Sequence, residues 1–282
     1  MQYLTLANGN KMPILGYGVF QIDPKKTQAC VEDALSVGYR LIDTASIYNN
    51  EEAVGSAIKA SGIKREELFI TTKLWVDKTN EKLAKKAFEE SLKKLGLDCI
   101  DLYLIHQPFN DTYGAWRVMS EIYKEGLSKA IGVSNFYPDR LVDFCLHNEI
   151  KPMLNQVECH PFHQQNSAQN TMNKLGIIMQ AWASFAEGHN NLFNNITLQQ
   201  IGAKHGKSVA QVVLRWLIER EIAVIPKTLS KDRMKQNFNV FDFSLDTQDK
   251  EKIASLASNA YQILNHHDTE RVSFLSRNLN KY

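Results

Sequence analysis

From residue 12 onward the chain alternates between short apolar runs and longer amphipathic stretches, and it does so eight times. The apolar runs cover residues 15–19, 40–43, 68–73, 100–106, 130–134, 154–158, 177–182 and 223–227. They are too short for most helices. A strand exposed on one face would alternate apolar and polar residues, so these largely continuous runs read as strands buried on both faces. The stretches between them, 25–37, 51–61, 81–95, 114–125, 138–148, 167–175, 208–220 and 231–240, carry the apolar spacing of a helix with one buried face.

Parallel strands require a crossover, usually a helix, so the alternation itself predicts a parallel α/β sheet. No linker or change of composition divides the 282 residues. Eight units in one undivided domain, residues 1–282, predict a (β/α)8 TIM barrel. Tyr3-Leu-Thr-Leu followed by Ala-Asn-Gly-Asn-Lys-Met-Pro reads as a β-hairpin ahead of the barrel, closing its bottom. Two helical segments, 197–205 and 247–257, fall outside the eightfold count. The alternative is a doubly wound open sheet. Gly16-Tyr-Gly18-Val-Phe-Gln21 nearly matches its dinucleotide fingerprint, but Gln21 stands where the third glycine belongs and no helix follows at once.

Composition removes several classes of function. A net charge of +2, with lysines matched by acids along the helices, leaves no basic stripe for nucleic acid. No stretch has the length of a membrane span, and Met1-Gln-Tyr-Leu-Thr-Leu is no signal peptide, so a cytoplasmic location is expected. Cys30, Cys99, Cys145 and Cys159 lack C-x-x-C spacing and read as free thiols. His160 with His163, and His266-His267, lack the further ligand a metal would need, so no metal is expected. Gly132-Val-Ser134-Asn-Phe136 lacks the second glycine of a nucleophile elbow.

Barrel chemistry sits at the C-terminal ends of the strands. The second run ends on Asp43, the third on Lys73 and the fourth on His106, with Tyr48 on the loop above. Neighbouring strands lie about 4.8 Å apart, so these groups converge. Asp43 and Lys73 can pair as ions, which answers the cost of burying an acid. A cation beside Tyr48 is expected to lower its pKa and make it a usable general acid, while a neutral His106 can orient a carbonyl oxygen. The later strand ends carry Ser134, Asn135 and Gln156, suited to a carboxamide, and Trp182, suited to stacking on a flat ring. After the eighth run, Lys227, Thr228, Lys231, Arg233, Gln236 and Asn237 suit a phosphate.

Over nearly its whole length the chain resembles the aldo-keto reductases, NADPH-dependent barrel oxidoreductases. The matching motifs are Asp43-Thr-Ala-x-x-Tyr48, Lys73-Leu-Trp, Ile105-His106, Gly132-Val-Ser-Asn135-Phe, Asn155-Gln156-Val-Glu and Ile225-Pro-Lys227-Thr with Arg233 and Asn237. In style it is similar to the short bacterial members, the 2,5-diketo-gluconate reductases. The resemblance implies a catalytic tetrad of Asp43, Tyr48, Lys73 and His106. It implies nicotinamide contacts at Ser134, Asn135, Gln156 and Trp182, and adenosine-phosphate contacts at Lys227, Thr228, Leu229, Arg233, Gln236 and Asn237. Val19, Phe20, Asp43 and the segment Ala183, Ser184 and Phe185 would complete the NADPH/NADP+ site. Phe20, Ile47, Tyr48, Trp75, His106, Gln107 and Phe136 would form the substrate pocket.

Two departures from the family pattern stand out. Gln107-Pro108 replaces Trp-Pro, and Ala183-Ser184-Phe185 replaces Ser-Pro-Leu. With a short loop after Pro108 and a short tail, the mouth is expected to be open and partly polar. The implied activity is reduction of aldehydes and ketones, with a small carbonyl compound as the only partner of a monomer or weak homodimer. Two rivals are a cofactor-binding interaction protein, like the potassium-channel β subunits, and a Schiff-base lyase using Lys73. No partner-binding insert supports the first, and Asp43 would keep Lys73 protonated against the second.

Overall fold

The computed structural model describes residues 1–258 and 263–277. An antiparallel hairpin, β1 (Tyr3–Thr5) and β2 (Lys11–Pro13), precedes eight parallel strands. These are β3 (Tyr17–Gly18), β4 (Leu41–Asp43), β5 (Phe69–Leu74), β6 (Leu102–Ile105), β7 (Ile131–Ser134), β8 (Leu154–Glu158), β9 (Ile178–Trp182) and β10 (Ala223–Val224). Each pairs with the next in chain order. A parallel bridge between Leu15 and Val224, with Gly16 N donating to Val224 O and Val224 N to Ile14 O, joins the last strand to the first and closes the barrel.

The outer layer is α1 (Pro24–Val37), α2 (Glu51–Ser61), α3 (Ala84–Leu95), α4 (Thr112–Lys124), α5 (Pro138–Leu146), α6 (Asn166–Leu175), α8 (Val209–Glu219) and α9 (Lys231–Phe238). Outside the eightfold count lie α7 (Ile196–His205), α10 (Thr247–Ala254) and α11 (Thr269–Arg277). Sequence patterning anticipates α7 and α10 but not α11. It also places β10 through residue 227, whereas pairing stops at Val224. Pro226 has no N–H to donate there, and its carbonyl instead accepts from Gly18 N. No helix among the described residues is long and apolar enough to cross a membrane.

Alternation along each strand builds the interior. Leu41, Phe69, Leu102, Leu104, Leu154 and Ala223 form one buried cluster with Leu6 and Met12 of the hairpin, which seals the lower end. Each such buried leucine contributes about 1.5–3 kcal/mol of burial. Two or four residues further along the same strands, on the same face, stand Asp43, Lys73, His106 and Gln156, and Gln180 stands two after Ile178, which packs on this cluster from β9. The barrel is thus apolar below and polar at its upper mouth.

Gly16 and Gly18 belong to this closure and not to a phosphate loop. A Cβ on Gly16 would lie 2.2 Å from Leu41 Cδ2, and one on Gly18 would lie 2.7 Å from the Ile225 carbonyl oxygen. Any larger residue would push β3 off its neighbours, which explains the near match to a dinucleotide fingerprint without its function.

Candidate active site

Asp43 ends β4 at 2% exposure and does not cap a helix. Its Oδ1 accepts from Lys73 Nζ at 2.5 Å and its Oδ2 from Gln156 Nε2 at 2.8 Å. Lys73, from β5, is fully buried and also donates to the Thr44 carbonyl at 2.8 Å. Burial draws the Lys73 ammonium down and the Asp43 carboxylate opposes that fall. Tyr48, on the short helical turn Ser46–Tyr48, lays its ring 5.1 Å from Lys73 Nζ. The His106 ring stands edge-on to Tyr48 at 5.6 Å. The structure therefore brings the four predicted residues to one point.

One expectation is overturned. Lys73 does not lower the Tyr48 pKa; burial raises it well above the ordinary phenol value, and Asp43 adds to the rise. The physical reason is local neutralisation. The lysine charge is engaged by a carboxylate at hydrogen-bond distance, so the pair offers little net positive field to the phenol. Tyr48 stays protonated. His106 lies well below its ordinary value, first through burial and then through the charges of Lys73 and His266, so the imidazole is neutral. Its Nδ1 is buried and has no hydrogen-bond partner among the described residues.

The residues expected around a carboxamide form a connected set. Ser134 Oγ donates to the Gln156 carbonyl at 2.8 Å. Asn135 Nδ2 donates to the His106 carbonyl at 3.0 Å, and Trp182 Nε1 donates to Asn135 Oδ1 at 2.9 Å. Gln156 spends its amide hydrogens on Asp43 and Gln180.

Beside this set runs a cleft of roughly 590 Å³ lined by Phe185, Lys227, Thr228, Arg233, Gln236 and Asn237, all of them expected from sequence. Lys207, Gln199 and Phe193 line it as well and were not expected. Gln199 and Phe193 lie on α7 and the turns 186–194, outside the eightfold pattern, and Lys207 in the short connection from α7 to α8. Leu229, 55% exposed, is not among the lining residues. The N-terminus of α9 stands at this cleft with Arg233 in its first turn, and the helix dipole there favours an anion. Tyr17 and Tyr39 fix the cleft wall from beneath, their hydroxyls donating to the carbonyls of Thr228 and Met234 at 2.6 and 3.0 Å. The segment that departs from the family pattern is tightly turned: Ala183, Ala186 and Glu187 all hold φ near +50°. Ser184 is buried and its Oγ has no partner among the described residues.

The substrate-pocket residues divide. Phe20 is 41% exposed with its ring 4.9 Å from that of Tyr48, and Val19 beside it is fully buried. Trp75 packs edge-on against His106 at 4.9 Å, and its Nε1 is buried without a partner among the described residues. Ile47 packs with Trp75 and Val76. Phe136 is not a wall residue. It is 1% exposed and packs against Phe144 of α5, because Asn135, at φ +65°, turns the chain outward after β7.

The open mouth expected from sequence is also corrected, because residues 263–277 form a strap across it. Glu158 at the end of β8 accepts from Ile263 N at 2.7 Å and Leu264 N at 3.1 Å. Tyr137 Oη accepts from His266 N at 3.0 Å, and His266 Nε2 meets Gln107 Oε1 at 2.8 Å. Leu275 of α11 packs on Trp75 and Val76. Gln107 is consequently 4% exposed. Three of the strap's anchors are backbone N–H groups, of Ile263, Leu264 and His266, which leave no residue pattern to read.

Comparison with known proteins agrees with this geometry. The profile of the Aldo/keto reductase family matches residues 14–258. Glyoxal reductase of Bacillus subtilis (strain 168) is 45% identical over 255 residues, which span 90% of this chain and 92% of that protein. Methylglyoxal reductase DkgA of Escherichia coli (strain K12) is 43% identical over 258 residues, with the same coverage. The crystal structure of a Bombyx mori aldo-keto reductase in complex with NADP superposes with a TM-score of 0.90 at 35% identity, covering 95% of this chain and 96% of that one. Similarity of this extent, over the residues that build the entire barrel, makes the chain a member of the aldo/keto reductase family.

Proposed function

We propose that the protein reduces small aldehydes and ketones to alcohols with NADPH, α-dicarbonyl compounds such as methylglyoxal among them. The observation that carries this reading is the convergence of a protonated Tyr48, a neutral His106 and the buried Lys73–Asp43 pair at the barrel mouth, beside a cleft with cationic residues. NADPH, when bound, supplies the hydride. Trp182, Asn135, Ser134 and Gln156 would hold its nicotinamide, and Lys227, Thr228, Arg233, Gln236 and Asn237 its phosphates. The cleft suits such a group, since its cations and the α9 N-terminus favour anions, and the hydroxyl of Ser184, next in sequence to the lining residue Phe185, lacks a partner among the described residues.

His106 donates a hydrogen bond to the substrate oxygen and fixes the carbonyl. As that oxygen takes on charge, Tyr48 gives it the phenol proton. An alkoxide is far more basic than a phenolate, so a raised phenol pKa does not prevent the transfer, and it keeps the donor loaded. Lys73, its Nζ 5.1 Å from the Tyr48 ring, is the cation beside the phenolate left behind, and Asp43 holds it there. The same groups run the reverse reaction, oxidation of an alcohol. The four cysteines are free, which fits a reducing, cytoplasmic setting. The pairing of the buried Lys73 ammonium with Asp43 speaks against the lyase reading. The test is nicotinamide absorbance with purified protein, methylglyoxal, and NADPH or NADH. Turnover with NADPH supports the reading. No turnover with any of a panel of aldehydes, despite tight NADPH binding, sinks it in favour of a cofactor-binding interaction protein.

A further inference from the structure

A chain of hydrogen bonds runs from Trp182 through Asn135 to Gln107 and the strap. The Trp182 indole N–H can only donate and the His106 carbonyl can only accept. Asn135 lies between them at 2.9 and 3.0 Å, so its oxygen faces the indole and its nitrogen the carbonyl. That same nitrogen also donates to Ser134 Oγ at 3.1 Å and lies 3.5 Å from Gln107 Oε1. His266 Nε2 meets this oxygen at 2.8 Å, a bond made by the tautomer that carries its proton on Nε2. Gln107 is left with an amide NH2 that has no partner among the described residues, on a side chain only 4% exposed and next in sequence to His106. A donor at the mouth without a protein acceptor is left to water or to a ligand that brings an oxygen to it. Gln107 is also where the sequence departs from the family's tryptophan, and its partner His266 comes from a strap anchored independently by Glu158 and Tyr137.

We propose that His266 is a positioning residue for substrate choice: it holds Gln107 so that the Gln107 amide N–H binds a second oxygen beside the reacting carbonyl. The class of substrate selected is the vicinal dicarbonyl or 2-hydroxy carbonyl compound. A plain aldehyde leaves the donor unpaired. The inference rests on the reading of Tyr48 and His106 as the carbonyl site.

The experiment compares kcat/KM for methylglyoxal with that for butanal, which lacks the second oxygen, in the unmodified protein and in Gln107→Met, His266→Phe and His266→Gln. The ratio is expected to fall about tenfold in Gln107→Met and His266→Phe, mainly through KM for methylglyoxal, as loss of one buried hydrogen bond requires. It should return to within about threefold of the original in His266→Gln, whose amide N–H replaces that of the imidazole. Gln107→Glu, which keeps the acceptor and loses the donor, gives the same reading should the methionine variant fail to fold. An unchanged ratio in the Gln107 and His266→Phe variants overturns the proposal and leaves the carbonyl site standing. A His266→Gln variant no better than His266→Phe also overturns it, since the histidine would then act by packing alone. If the unmodified protein reduces neither aldehyde, the carbonyl site fails and the proposal with it.

Discussion

Gln156 reaches from β8 across the barrel mouth to donate to Asp43 on β4 at 2.8 Å, from a strand four places away in the sheet. The carboxylate is thus held from two sides, by a cation on the neighbouring strand and by an amide on the far wall. Replacing Gln156 with methionine keeps the volume and removes the donor. It leaves Asp43 Oδ2 and Gln180 Oε1 short of a partner in a buried site. A loss of about 1–3 kcal/mol in unfolding free energy is expected, measured in denaturant or as a lowered Tm. A variant as stable as the parent would show that the mouth is wet enough to replace the amide.

The strap makes a prediction about chain length. Leu275 of the strap packs on Trp75 and Val76, and a pocket closed by this contact would bury each added methylene, at about 0.8 kcal/mol apiece, so kcat/KM should climb along a series of straight-chain aldehydes. Truncation after Ser258 should flatten that climb. A flat series in the intact protein would mean that the strap does not cover the substrate.

Arg233 stands in the first turn of α9 at the cleft, with a planar fork suited to a phosphate. Arg233→Ala should weaken binding of NADPH far more than binding of NADH, read by titration of protein fluorescence. Equal losses would place the guanidinium on the pyrophosphate that both dinucleotides share.

Four tyrosines set the alkaline limit. Burial raises Tyr17, Tyr39, Tyr48 and Tyr103 above the ordinary value. The unfolded chain would release these protons near pH 10, and the folded chain keeps them. Above that pH the unfolded state binds fewer protons, so stability falls as pH rises. In a spectrophotometric titration, the phenolate signal of these four should appear together with the loss of circular dichroism. Ionisation of all ten tyrosines before unfolding would contradict the burial.

Much of this was legible in the chain because burial on both strand faces writes a continuous apolar run. The polar residue ending several of these runs, as in Leu41-Ile-Asp43, marks the upper mouth. The Tyr48 pKa is not legible in the chain because it depends on whether Lys73 is already neutralised, which is a matter of ångströms and not of spacing. Phe136 was misplaced because the left-handed turn at Asn135 reverses the face of the next residue. The strap was invisible because Glu158 binds it through main-chain N–H groups that any residue supplies. His266 looked like half of a histidine pair, and only its 2.8 Å approach to Gln107 gives it a role.

The central claim is that Tyr48 gives the proton, and Tyr48→Phe tests it most directly. The phenyl ring preserves the packing against Phe20 and His106 and removes only the hydroxyl. Single-turnover oxidation of bound NADPH by methylglyoxal should slow by at least about 10²-fold, the ordinary worth of a general acid, while NADPH affinity changes little. A Tyr48→Phe protein that turns over at nearly the parent rate, under conditions where chemistry limits the reaction, would contradict the account.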